Sequence, residues 1–165
     1  FLYTTGPYPL SYNGWGDVLV IVFFGFVPVG GTYYVQALTW TPDVTIASLT
    51  CGLLIDTLLV VNNYRDREAD ARSGKRTVIV RFGEKFGRYF YLMLGVTASL
   101  LCLCFLREGH FLAALLPQLY LIPHFLTWKR MVKIYSGKKL NSILGETSRN
   151  MLFMGVLIAI GMLVS

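Results

Sequence analysis

The chain has 165 residues, 55% of them hydrophobic and 15% charged, with a mean hydropathy of +0.56 and a formal net charge of +6. This is too apolar for a soluble domain of its size, and the uncharged runs are long enough to span a bilayer, which takes about 20 residues in a helix. A basic excess distributed around such runs speaks for membrane topology and against nucleic acid as a partner.

Residues 1–17 are rich in Gly, Pro and aromatic residues, which predicts a loop with several turns, closed by Asp17 as the cap of the first span. Its tyrosines suit either an interfacial aromatic belt or a substrate-facing loop. Spans are expected over 18–38, 44–64, 86–106, 111–129 and 147–164, giving an all-α, polytopic membrane helix bundle that forms a single transmembrane domain over 1–165. The chain opens on Phe1 without an initiator Met, as a fragment or processed product would.

Thr41-Pro42-Asp43 restarts the helix after the first span, and the next stop signal is Ser73-Gly74. At 1.5 Å per residue such a helix carries Asp66 about 7 Å and Asp70 about 13 Å beyond Val61, out of the membrane and into the interface. Within the second span Asp56 is expected to face the bundle interior, either lining a cavity or as a hydrogen-bonded structural acid. Thr77 to Gly83 is rich in β-branched residues and is expected to be an extended stretch lying over the site as a lid. Pro117 and Pro123 in the fourth span fit a bent helix lining a cavity or ordinary membrane-helix prolines.

His110 and His124 have no spacing partner and read as an interfacial and a packed histidine, and Glu146 with Arg149 reads as a local helix pair. Cys51, Cys102 and Cys104 form no CxxC motif and are expected to be buried free thiols. Eight of the 15 basic residues, Arg65 to Arg88, fall between the second and third spans; Lys129 to Lys139 and Arg149 fall two spans later. Both connections therefore share one face, and the positive-inside rule makes it cytoplasmic.

The second helix presents Asp56, Asn63, Asp66 or Arg67, and Asp70, with Asn62, Asp66 and Asp70 as an overlapping row, as one polar stripe running from inside the membrane outward. Two carboxylates four residues apart offer hard oxygen ligands to Mg²⁺, which keeps much of its coordination for water and substrate phosphate. Arg65, Arg72, Lys75 and Arg76 follow as cations for the phosphate oxygens that a metal leaves unneutralised. Metal and bases together describe a diphosphate site.

At these residues the chain resembles the UbiA superfamily of intramembrane prenyltransferases, and within it the branch acting on 1,4-dihydroxy-2-naphthoate in menaquinone biosynthesis. The likeness lies in the DxxxD motif at Asp66 and Asp70, its flank Asn62-Asn63-Tyr64-Arg65, and the tail from Asp70 through Gly74-Lys75-Arg76 to Gly83. It extends to the opening Phe1 to Leu10, to Gly14-Trp15-Gly16-Asp17, and to Phe23-Phe24-Gly25 and Gln36. The resemblance implies a nine-helix fold of which these five spans are the last five, so that an N-terminal half carrying the first Asp-rich motif is the implied partner. Without that half the chain is expected to be inactive.

Implied substrates are a polyprenyl diphosphate and 1,4-dihydroxy-2-naphthoate, with demethylmenaquinone as product, Mg²⁺ as cofactor, and the bacterial cytoplasmic membrane as location with the active face cytoplasmic. The implied roles are Asp66 and Asp70 in catalysis and metal binding, and Arg65, Arg72, Lys75, Asn62 and Asn63 on the diphosphate. Tyr3 and Tyr64 are implied on the substrate. Residues 1–16 contain no Lys or Arg, unlike the opening loop of many superfamily members, which leaves Tyr3, Tyr8 and Tyr12 as candidate aromatic contacts.

Alternatives are another aromatic prenyltransferase of the superfamily, of the 4-hydroxybenzoate, haem or chlorophyll type, or a non-enzymatic membrane subunit whose basic loop binds lipid. CDP-alcohol phosphotransferases also carry a DxxxD, but the stretch Leu58 to Arg65 lacks the motif that precedes theirs.

Overall fold

The apolar runs form five helices in the computed structural model, which describes residues 9–164. They are α1 (Gly16–Ala37), α2 (Pro42–Arg72), α3 (Val78–Glu108), α4 (Phe111–Ile134) and α5 (Lys138–Val164), each long and apolar enough to cross a membrane. All regular structure among the described residues is helical. The chain is an integral membrane protein, and the expected all-α membrane bundle is what the sequence forms.

Helix α2 organises the bundle by packing against α1, α3 and α5, while α4 bridges α3 and α5. Its start follows from local chemistry. Thr41 is extended and its Oγ1 accepts the Val44 N–H at 3.3 Å, Pro42 takes the first turn, and Asp43 adds a carboxylate at the positive end of the helix dipole. It ends at Arg72, after which Gly74 adopts a left-handed φ of 77°. At 31 residues the helix is about 46 Å long against a hydrocarbon thickness of about 30 Å, so one end must project from the bilayer. That end carries Asp66 and Asp70.

α1 lies so close to α2 that side chains are excluded from the seam. A Cβ on Gly52 would sit 2.9 Å from the Ile21 Cα, and one on Gly25 would collide with the Ser48 carbonyl. Small residues permit this approach, as in other membrane helix pairs. Each step of four along α1 matches a step of four back along α2: Gly25 meets Ser48, Ile21 meets Gly52, and one turn further out Asp17 meets Asp56. Around Pro28, which has no N–H to give, α1 widens to π-type bonding over Ile21–Gly30.

Three local expectations are corrected. Asp17 is not the cap of the first helix: Trp15 holds that position and Asp17 is buried in the first turn, turned towards α2. Thr77 to Gly83 is not extended, because Thr77 Oγ1 accepts the Val80 N–H at 3.3 Å and starts α3 at Val78, while Ile79 drops into the core. Only Gly83, with φ of 85°, interrupts the helix. Glu146 does not pair with Arg149; it faces α4, where Arg130 binds it at 2.5 Å and Thr127 donates to it at 3.4 Å.

The buried histidine expected in the fourth span is present: His124 is fully enclosed, bonded to the Tyr120 hydroxyl at 2.9 Å and to the Leu92 carbonyl at 3.2 Å, and stacked on Tyr91. Pro117 opens a 3₁₀ segment, Leu116–Tyr120, inside α4, and Gln118 there donates to the Ser99 carbonyl at 2.8 Å and so ties α4 to α3. All three cysteines are free; Cys102 is buried, and Cys51 and Cys104 are half-buried.

Candidate functional site

The projecting end of α2 meets three other parts of the chain. The opening 3₁₀ turn Leu10–Asn13 is held against the connection after α2 by the Arg76 N–H donating to the Tyr12 carbonyl at 2.8 Å, and by Arg81 Nη2 donating to the Asn13 carbonyl at 2.8 Å. Gly14, with φ of 81°, turns the chain there; its Cα faces the Arg76 carbonyl so closely that a Cβ would be 3.0 Å away. The head of α5 arrives through Asn141. The two basic connections thus stand at one end of the bundle, as the span count requires.

Within this junction Arg65 is the hub. Its guanidinium grips Asp66 with two bonds, Nε to Oδ1 at 2.8 Å and Nη2 to Oδ2 at 2.6 Å. It also donates to Asn62 Oδ1 at 2.7 Å and, across to α5, to Asn141 Oδ1 at 2.9 Å. Four residues on, Asp70 is nearly buried and holds Lys75 Nζ at 3.1 Å, with the Tyr12 ring beneath the ammonium. That hydrogen bond, reinforced by the charge of Asp70, raises the Lys75 ammonium above its ordinary value and keeps it cationic. Each carboxylate of the pair therefore has its own cation.

Asp70 and Lys75 line a cavity of about 280 Å³ together with Tyr12, Asp17, Asn62, Asn63 and Thr77. Leu59 and Asn62 are shared with a second, mainly apolar cavity of about 520 Å³ between α1, α2 and α5, walled by Val20, Phe24, Ile55 and Leu144. Through Ile55 and Ser148 the apolar groove continues into a third of about 670 Å³. Its course runs from the charged end deep into the membrane-spanning part. A further cavity, about 730 Å³, lies at the opposite end beside Thr41 and His110, away from Asp66 and Asp70.

The remaining expected residues are placed as follows. Arg72 is exposed and makes no ion pair among the described residues, which leaves its charge free for a ligand. Tyr64 is fully buried on the other side of α2, its hydroxyl accepting from Arg88 Nε at 2.9 Å and Arg67 lying 4.6 Å from its ring centroid. Glu84 bonds Arg88 at 3.2 Å and Tyr135 stacks under both arginines, so this cluster fixes the rotation of α2 about its axis. Tyr3 and Tyr8 lie outside the described residues.

Two residues at this end of the bundle carry no plain mark in the sequence. Asn141 lies 76 positions from Arg65, with nothing in its neighbourhood to mark it, and Asp17 was read as a cap, although an acid at the head of an apolar run is itself a signal. Among the described residues no three His, Cys, Asp or Glu side chains converge as a closed metal site. Asp66 and Asp70, stacked on one helix face, fit as an open, hard-oxygen pair of the kind Mg²⁺ takes while keeping water and phosphate in its other positions.

A sequence model of the UbiA prenyltransferase family matches residues 1–157. The 1,4-dihydroxy-2-naphthoate octaprenyltransferase of Haemophilus influenzae is 34% identical over 166 residues, covering 98% of this chain and 53% of that protein. The protein of the same description from Escherichia coli is 43% identical over 101 residues, 61% of this chain and 32% of its own length. The UbiA prenyltransferase domain-containing protein 1 of Dictyostelium discoideum is 30% identical over 163 residues, 99% of this chain and 48% of its own length. The chain thus spans about half the length of the curated relatives that it matches end to end. No solved structure matches it.

Proposed function

Because the chain belongs to the UbiA prenyltransferase family, we propose that it supplies the C-terminal half of an enzyme transferring a polyprenyl group from an allylic polyprenyl diphosphate to 1,4-dihydroxy-2-naphthoate, giving demethylmenaquinone. The observation that carries this reading is the Asp66 and Asp70 pair, each with its own cation, with Asp70 and Lys75 in the wall of a cavity that adjoins an apolar groove. The naphthoate acceptor is taken from the relatives' descriptions.

Asp66 and Asp70 would hold Mg²⁺, with further ligands from the N-terminal half. When bound, the metal supplies positive charge for the diphosphate as it departs. Arg65 and Lys75, which bind these carboxylates, would turn to the diphosphate oxygens, with exposed Arg72 as a further cation. Asn62 and Asn63 offer amide donors on the same wall. The prenyl chain lies in the apolar groove beside Phe24, Ile55 and Leu144, which also keeps water from the allylic cation.

The bond changes balance without an external base. The allylic C–O bond breaks towards the diphosphate, the ring carbon bearing the carboxylate attacks the cation, and loss of CO₂ returns the electron pair to the ring, so the product leaves this site as the hydroquinone, the two-electron-reduced form of demethylmenaquinone. The basic connections at this end of the bundle support a cytoplasmic orientation for it, and the bacterial relatives support a bacterial cytoplasmic membrane as its location. The test is product identification: the complete enzyme, expressed in a strain unable to make demethylmenaquinone, is expected to restore it. Prenylation of a different aromatic acid only would overturn the assigned acceptor.

A further inference from the structure

Asp17 and Asp56 face each other at the charged end of the seam between α1 and α2. Asp56 is fully enclosed and Asp17 is 8% exposed; the two carboxyl groups hydrogen-bond to each other, and Asp17 Oδ1 and both oxygens of Asp56 have no other side-chain or backbone donor. Burying two carboxyl groups with only each other as partner is costly, and the packing asks for no acid here: Ile21, Gly25, Ser48 and Gly52 build the rest of the row. An ionisable pair kept inside a membrane-spanning segment points to a ligand.

The two acids are not equivalent. Asp56 is sealed behind the seam, whereas Asp17 lines the 280 Å³ cavity that also contains Asp70, Lys75 and Asn63. That volume stands near the lower bound of small-molecule pockets, about 300 Å³. A divalent cation is poorly served between Asp17 and Asp56, because no third acidic, His or Cys ligand converges among the described residues. The cations nearest the cavity are engaged by Asp66 and Asp70. A carboxyl group in the wall of this cavity is suited instead to an O–H donor.

We infer that Asp17, held in place by Asp56, binds a ring hydroxyl of the aromatic acceptor and so sets its orientation beneath the diphosphate. The inference rests on the proposed function. In 1,4-dihydroxy-2-naphthoate the 4-hydroxyl lies on the side of the ring away from the carboxylate, so it can donate to Asp17 while the acid repels the carboxylate end. The carbon that receives the prenyl group is then turned towards Asp70, Lys75 and the leaving diphosphate. Asp17 is the binding residue in this arrangement, and Asp56 is a positioning residue that acts through it.

The test is equilibrium binding to the complete enzyme in detergent, without prenyl diphosphate, of 1,4-dihydroxy-2-naphthoate and of 1-hydroxy-2-naphthoate, which lacks the 4-hydroxyl. The wild type is expected to bind the dihydroxy compound about ten- to a hundredfold more tightly, the range of one charge-assisted hydrogen bond. Asp17→Leu is expected to bring that ratio to within about twofold, leaving KM for the polyprenyl diphosphate within about twofold; Asp56→Asn lowers the ratio in part. A wild-type ratio near one overturns the inference whether or not the variants fold, as does an unchanged ratio in Asp17→Leu. A wild type that makes no prenylated naphthoate overturns the functional reading as well, and that is read from product formation, not from the ratio.

Discussion

Arg65→Ala separates the structural from the catalytic use of the guanidinium. The side chain makes four hydrogen bonds, two to Asp66, one to Asn62 and one to Asn141 on α5. The ion pair is far from dry, with 25% of the Arg65 and 39% of the Asp66 side chain exposed, so its worth lies in the range of surface pairs, about 0.2–1 kcal/mol. Adding the two amide contacts brings the expected loss of stability to about 1–2 kcal/mol. If Arg65 also holds the departing diphosphate, the loss in rate is much larger, about 10²–10³-fold or roughly 3–4 kcal/mol. Arg65→Lys keeps the charge without the two-pronged geometry and is expected to fall between. Rates of prenyl transfer by the complete enzyme are compared with thermal unfolding of the same preparations in detergent. A rate for Arg65→Ala within about threefold of wild type would refute the placement of this arginine on the diphosphate.

Gly52→Val forces a side chain into the α1–α2 seam, where even a Cβ meets the Ile21 backbone at 2.9 Å; a loss of about 1–3 kcal/mol is expected, and unchanged thermal stability would show that the seam is looser than described. Tyr64→Phe removes the partner of Arg88 Nε within a buried cluster and is expected to cost about 1–2 kcal/mol of stability with less than about a fivefold change in the rate per folded molecule; a rate loss beyond about a hundredfold would give Tyr64 a direct part in the reaction. Chelation of divalent cations is expected to stop prenyl transfer reversibly, with Mg²⁺ restoring it and helix content unchanged; full activity after chelation would contradict a metal at the carboxylate pair.

The parts of this fold that could be read in the sequence are those set by the membrane and by local chemistry. Hydrocarbon thickness fixes the five spans, Thr41-Pro42 and Ser73-Gly74 fix the ends of α2, and the excess length of α2 then carries Asp66 and Asp70 outside. What was not legible depends on how one helix sits against another. The meeting of Asp17 with Asp56 needs the register that Gly25 and Gly52 impose, and neither glycine announces its partner. Glu146 has Arg149 within reach on its own helix, yet the packing of α5 on α4 turns it to Arg130. The β-branched run after Thr77 favours extended chain only weakly; a capping hydroxyl and the burial of Ile79 outweigh it.

The central claim is that Asp66 and Asp70 together hold the metal for prenyl transfer. The most direct measurement is the Mg²⁺-dependent rate of Asp66→Asn and Asp70→Asn in the complete enzyme, with membrane insertion verified for each. Both variants are expected to insert normally and to lose at least about a hundredfold in rate, since Asn keeps the shape but not the charge that a hard cation needs. Insertion together with an undiminished rate in both variants would contradict the account.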